Sequence, residues 1–169
     1  MKQKLKGVHA LERIFTDMFA EFGIRKVSMG KDYAYWYNLE EITFCPYEKI
    51  EDKWFNEFVT NRFPDITLGS SLIIGFLHEV GHHETMDDIS EVVQSMCDEE
   101  KERIETEIEN SKSEERIKEL EWEYFNLPDE IMATYWAVEY IRQNLEQVNR
   151  MNNLAELAIK KFYAINNIN

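Results

Sequence analysis

Cysteine is scarce in this chain, which has only Cys45 and Cys97 among its 169 residues. The two lie far apart and lack the short spacing of a metal-binding pair, so we expect ordinary reduced thiols. The first residues are charged and then amphipathic, without the apolar stretch of a secretory signal. These features together indicate a cytoplasmic protein.

Long apolar runs are missing too, since no stretch approaches the roughly 20 residues of a membrane-spanning helix. Basic residues are in deficit, because 19 Lys and Arg stand against 33 Asp and Glu, giving a formal net charge of −14. A chain this acidic is not expected to bind nucleic acid or an anionic membrane. The hydrophobic share of 44% still suffices for a core, so we expect one folded domain over residues 1–169.

Histidine is rare as well, yet three of the four histidines fall in one stretch. Residues 72–85 read LIIGFLHEVGHHET, in which His78, Glu79 and His82 form an H-E-x-x-H motif. Positions i and i+4 share a helix face, so both imidazoles can point at one zinc ion. Glu79 can then reach a water molecule activated by the metal without being a ligand. The stretch predicts the zinc site of a metallopeptidase, with Glu79 as its catalytic acid and base.

A second interpretation of the motif stays open. A short motif can occur by chance, and two histidines on a buried helix can be satisfied by hydrogen bonds alone. The context favours a metal site, because residues 72–80 are apolar on most sides and predict a buried helix. The fourth histidine, His9, begins an amphipathic helix and is expected to be a surface or capping residue.

A site with two histidines needs a further protein ligand, and beyond His83 the chain offers carboxylates as the candidates. The best placed are Asp129 and Glu130, which begin an otherwise apolar helix. Glu130 is preferred because it shares a face with small residues that permit close helix packing, namely Ala133 and Ala137. Asp129 remains open as a ligand or as a residue that orients a histidine. Both acids also fit a simple role in complementing the helix dipole.

The hydrophobic pattern of the remaining chain predicts an α+β fold that is mostly helical. Besides the motif helix, helices are expected over residues 8–22, 47–63, 87–109, 128–148 and 152–164. A small antiparallel sheet of about three strands, packed on helices, is expected from residues 24–29, 33–37 and 41–45. The aromatic strand at 33–37 is expected either to pack a sheet face on the helices or to hold a peptide along its edge.

Residues 98–121, called here the charged arm, lie between the motif helix and the helix of Glu130. A thin apolar stripe and a turn near residues 110–113 predict a helical hairpin. We expect the charged arm to extend into solvent, where its acids would not reach the metal. A partner-binding or regulatory arm is the alternative.

Two segments resemble the ImmA/IrrE family of metallopeptidases. HEVGH at residues 78–82 matches the family's H-E-x-G-H element, glycine included. EIMATYWA at residues 130–137 is similar to the E-x-x-A-x-x-F-A segment that follows it. The resemblance covers about residues 58–140.

This resemblance implies a zincin-like fold in which His78, His82 and Glu130 bind zinc and Glu79 is catalytic. It also implies a protein or peptide substrate, such as a repressor, and a gene carried by a phage or other mobile element. The chain departs from the family in the 47 residues that separate His82 from Glu130, and in Thr134, where the family has asparagine.

The proposed reaction also requires a hydrogen-bond donor for the oxyanion, and Tyr124 and Tyr135 are both candidates. The alternative function is a non-catalytic interaction module, zinc-containing or metal-free, that engages a partner through the charged arm.

Overall fold

The computed structural model describes residues 5–31, 33–46, 50–66 and 71–168. Within these ranges the α-helices are α1 (Val8–Phe19), α2 (Ile50–Arg62), α3 (Ser71–Thr85), α4 (Glu91–Asn110), α5 (Glu114–Phe125), α6 (Pro128–Gln143) and α7 (Leu145–Asn166). The strands are β1 (Lys26–Met29), β2 (Ala34–Trp36) and β3 (Glu41–Phe44). The predicted α+β class, mostly helical with a small sheet, is confirmed. The predicted start of α2 at residue 47 lies outside the described residues.

Helix α3, which carries the H-E-x-x-H motif, is the centre of the core. Residues 73–81 are all buried, as the apolar pattern predicts. Phe76 of α3 packs against Phe15, Phe19 and Phe44, with ring centroids 4.7 to 5.1 Å apart. Each of these rings is fully buried, and full burial of a phenylalanine stabilises a fold by roughly 2–3 kcal/mol. The motif is therefore held in a closely packed part of the hydrophobic core.

The sheet is mixed, so the predicted all-antiparallel arrangement is wrong. The central strand, β3, pairs antiparallel with β2 and parallel with β1. A tight turn at Glu40, whose φ of 50° is left-handed, reverses the chain between β2 and β3. Strand β3 takes the middle position because Ile42 and Phe44 are both fully buried, whereas β2 contributes no buried side chain. In the described part of the chain, β2 is thus an edge strand.

The last two helices also differ from the prediction. Helix α6 ends at Gln143 rather than near residue 148, and α7 begins at Leu145 rather than at residue 152. The break is at Asn144, whose backbone N–H and side-chain amide both donate to the carbonyl of Tyr140. The backbone bond is the last of α6, and the side-chain bond accompanies the change of Asn144 to a non-helical conformation, which ends the helix there.

The charged arm forms the predicted helical hairpin from α4 and α5, but it packs on the body instead of extending into solvent. Ile104 and Leu120 are fully buried between the helices. Lys118 lies 2.5 Å from the carboxylate of Glu57 on α2 and links the arm to that helix. The inner face of α4 consequently reaches α6. None of the helices in the described ranges is both long and apolar enough to span a bilayer.

Candidate metal centre

Helices α3 and α6 cross at very short distance where their motifs meet. A Cβ atom on Gly81 would lie 2.3 Å from the carbonyl oxygen of Ala133, so this position of α3 accepts only glycine. Ala133 and Ala137 are almost fully buried at the crossing, in agreement with their predicted packing role. The close approach sets the first turn of α6, which contains Glu130, beside the motif histidines.

Three predicted ligands come together at this crossing. Nε2 of His78 lies 3.2 Å from Nε2 of His82 and 3.0 Å from Oε2 of Glu130. Nε2 of His82 lies 3.4 Å from Oε1 of Glu130. A tetrahedral ion with bonds of about 2.0–2.1 Å separates its ligand atoms by about 3.3–3.4 Å. The donor atoms thus have nearly the spacing that a metal ion requires, and the group could hold one.

The second ring nitrogen of His78 supports this interpretation. Nδ1 lies 3.1 Å from the hydroxyl of Thr134, which is buried. When Nδ1 donates to that hydroxyl, Nε2 carries a lone pair and faces a carboxylate oxygen of Glu130. Two acceptors 3.0 Å apart are unfavourable unless a cation or a proton lies between them. With this tautomer the donor set fits a metal ion. With the other tautomer, Nε2–H of His78 donates to Glu130 and the hydroxyl of Thr134 donates to Nδ1, so hydrogen bonds satisfy the same groups.

Glu130 is ionised despite its burial. Burial by itself would raise the pKa of this carboxyl, but the charge of His82, hydrogen bonds from both histidines and the charge of Lys101 hold it well below its usual range. The site consequently offers one full negative charge and two imidazoles. This combination is a common donor set for divalent zinc.

Glu79 follows His78 on α3 and is itself buried. Burial, with a smaller contribution from the charge of Glu130, raises the pKa of its carboxyl to about 7. The charges of His78 and Lys101 and a backbone hydrogen bond from Tyr35 act in the opposite direction. A carboxyl that titrates near neutral pH can both accept and release a proton, as the predicted catalytic role requires.

We expect the metal-free protein to lose stability as the pH rises through about 7, because Glu79 must ionise in its buried site. Its pKa is about 7 when folded and 4.5 in the reference state, so the folded protein holds this proton more tightly. The stability from this group is present below about pH 4.5 and is lost as the pH rises through about 7, a total of about 3 kcal/mol. Denaturant unfolding in the presence of a chelator measures it.

The matched variants for this measurement are Glu79→Gln and Glu84→Gln, both on α3. Glu84 is exposed, so its variant should keep the wild-type loss of stability with pH. Glu79→Gln should largely remove that loss. Identical pH dependence in wild type and Glu79→Gln would contradict the burial of this carboxyl.

Asp129 contacts a lysine rather than a histidine in the described residues. Its Oδ2 lies 2.5 Å from Nζ of Lys101 in the charged arm, and the same Nζ lies 2.5 Å from Oε1 of Glu130. This arrangement therefore supports neither role considered for Asp129, as a ligand or as the partner of a histidine. The residue that contacts the second ring nitrogen of His78 is Thr134. Sequence reasoning missed Lys101, although two adjacent buried carboxylates signal the need for a nearby cation.

The structure distinguishes between the two tyrosines considered as oxyanion donors, Tyr124 and Tyr135. The ring of Tyr124 lies 5.4 Å from the Lys101 ammonium, and burial together with the charge of Glu130 raises the pKa of its hydroxyl. Tyr135 instead packs against Phe63, with ring centroids 5.1 Å apart, and is 43% exposed. Tyr124 is thus the candidate that lies at the site.

The remaining histidines lie elsewhere. Nδ1 of His83 is 2.6 Å from the hydroxyl of Tyr35, so this residue links α3 to the edge strand β2. His9 is fully exposed and pairs with Glu12, in agreement with its expected surface position.

Comparison with known proteins gave no relatives. No family model matches the chain, and neither a curated protein nor a solved structure is similar to it at a significant level.

Proposed function

We propose that this protein is a zinc-dependent metallopeptidase that hydrolyses a peptide bond in a protein substrate. The main support is the convergence of His78, His82 and Glu130, whose donor atoms lie 3.0 to 3.4 Å apart. The buried carboxylate of Glu79 beside them supports a hydrolytic rather than a purely structural site. The resemblance of both motifs to the ImmA/IrrE family adds a regulatory, repressor-type protein as the proposed substrate.

The three ligands have distinct parts in holding the ion. The hydroxyl of Thr134 fixes the ring of His78, and Glu130 supplies the negative charge. His82 is partly exposed, so substrate and water would approach from its side. When bound, zinc would supply a Lewis acid that activates water and polarises the scissile carbonyl.

The protons are moved by Glu79. Its carboxylate would accept a proton from the attacking water and then deliver it to the leaving amine nitrogen. The backbone N–H of Tyr35 favours the ionised form that begins this cycle. The hydroxyl of Tyr124 stays protonated because of its raised pKa, so it is available to donate to the oxyanion.

The edge strand β2 supports a peptide as the substrate. The backbone N–H of Tyr35, on this strand, donates to the carboxylate of Glu79, and its hydroxyl contacts His83. An extended peptide that pairs with this edge would bring its own backbone to the catalytic carboxylate. Such pairing uses main-chain hydrogen bonds and leaves the choice of sequence to neighbouring side chains.

The metal site is tested by elemental analysis of the purified protein. We expect about one zinc ion per chain in wild type and none in Glu130→Ala, because two histidines alone hold zinc weakly. Glu139→Ala is the matched control, since Glu139 is an exposed acid on the same helix and should leave the zinc content unchanged. A wild-type protein that takes up no zinc when it is offered would contradict the proposal and favour the interaction module.

A further inference from the structure

We propose that Lys101, supplied by the charged arm, is a positioning residue for the metal centre: it holds Oε1 of Glu130 and leaves Oε2 as the metal-binding oxygen. This inference rests on the proposed metal site. It gives the arm, which separates the two halves of the site in sequence, a direct part in shaping that site.

The contacts of Lys101 are short and shielded from water. Its Nζ lies 2.5 Å from Oε1 of Glu130 and 2.5 Å from Oδ2 of Asp129. The side chains of these two acids are only 5% and 3% exposed, and that of the lysine is 19% exposed. Charge-assisted bonds between shielded groups are much stronger than surface ion pairs, so the orientation of the Glu130 carboxylate is tightly restricted.

The two oxygens of Glu130 therefore have different surroundings. Oε2 lies 3.0 Å from Nε2 of His78, a little closer than the spacing of about 3.3–3.4 Å around a tetrahedral ion. Oε1 lies 2.5 Å from Nζ of Lys101 and 3.4 Å from Nε2 of His82, so the ammonium is its nearer partner. A carboxylate can bind a metal through one oxygen or through both. When one oxygen is held by an ammonium group, binding through the other oxygen alone is favoured. Binding through one oxygen leaves a coordination position free for water.

Several neighbours fix the ammonium group in turn. The ammonium also donates to Asp129, which precedes Glu130 in the first turn of α6. The ring of Tyr124 lies 5.4 Å from Nζ. Cys97, one turn earlier on α4, is also buried and lies near Asp129. These contacts hold the ammonium group of Lys101 in one place.

The test replaces zinc with Co²⁺, whose visible absorption is intense with four ligands and weaker with five. Wild type should give the intense spectrum. Lys101→Met removes the ammonium, so both oxygens of Glu130 can reach the ion, and we expect a several-fold loss of visible absorbance. Lys101→Arg, which keeps a donor and the charge, should restore much of it. Lys118→Met is the matched control, because it removes another lysine–carboxylate pair of the arm, in which the carboxylate is that of Glu57 and not of a proposed ligand.

Folding of each variant is checked by circular dichroism. If Lys101→Met does not fold, the double variant Lys101→Met, Asp129→Asn removes one charge of each sign, and the same loss of absorbance is expected. A folded variant without Lys101 that keeps the intense spectrum would overturn this inference alone. A wild-type protein that binds no Co²⁺ would overturn the metal site as well.

Discussion

Glu79→Gln is expected to abolish peptide hydrolysis while the protein keeps its zinc. Glutamine has nearly the same shape but cannot accept a proton from water at neutral pH, and loss of a general base typically costs roughly 10²–10⁴-fold in rate. The ligands His78, His82 and Glu130 are unchanged, so the metal content should stay at about one per chain. The measurement is mass spectrometry of a mixture of unfolded protein fragments incubated with zinc-loaded enzyme.

Three controls make this result specific. Glu84→Gln, on an exposed position of the same helix, should cleave like wild type. Addition of a chelator should stop wild-type cleavage, and zinc should restore it. Cleavage by Glu79→Gln at the wild-type rate would contradict the proposed role of this residue. Zinc binding without any cleavage by wild type would instead favour a non-catalytic protein.

Gly81→Ala is expected to destabilise the protein by about 3 kcal/mol, near the upper end of the usual cost of overpacking. The added methyl group would lie 2.3 Å from the carbonyl oxygen of Ala133, and backbone atoms cannot move aside as a side chain would. The two helices must separate, which draws Glu130 away from the histidines. We therefore expect a fall in melting temperature of about 10 °C and a loss of zinc affinity, measured by thermal unfolding and by competition with a chelator.

Gly75→Ala provides the control in the same helix. A Cβ at Gly75 would meet the ring of Tyr33 at 3.3 Å, and a side chain can shift by the few tenths of an ångström required. Alanine is also favoured over glycine inside a helix by up to about 1 kcal/mol. The Gly75 variant should thus have nearly wild-type stability. Equal stability of the two variants would mean that the helix crossing at Gly81 is looser than described.

The grouping of His78, His82 and Glu130 was largely accessible from sequence because the chemistry of a metal site leaves few choices. A histidine pair at i and i+4 on an apolar helix needs a third metal-binding group. Glu130 is the acid that begins a helix and shares a face with small residues. The structure brings Glu130 to both histidines as that reasoning predicts. Asp129 could not be ruled out beforehand, because adjacent positions in a first helical turn differ only by the rotation of the helix.

The surroundings of the site could not be predicted in the same way. Lys101 lies 28 residues before Asp129, and although it shares a helix face with Cys97 and Ile104, nothing in the sequence indicates that this face packs on α6. The alternation of side chains along a strand likewise does not show whether its neighbour runs parallel or antiparallel. An antiparallel pairing was therefore predicted for β1. The order of strands in the sheet depends instead on the burial of Ile42 and Phe44, which sets β3 in the middle.

The hairpin of α4 and α5 also affects how the chain finds its folded state. The two halves of the site are separated by 47 residues, and bringing the ends of a loop together costs conformational entropy that rises with the logarithm of its length. Ion pairs such as Arg103 with Glu123 join the two helices within this segment. Once the hairpin has formed, only short connections remain flexible, which lowers the closure cost by about 1 kcal/mol. A hairpin that has already formed between the two halves of the site thus shortens the flexible chain that must close to bring them together.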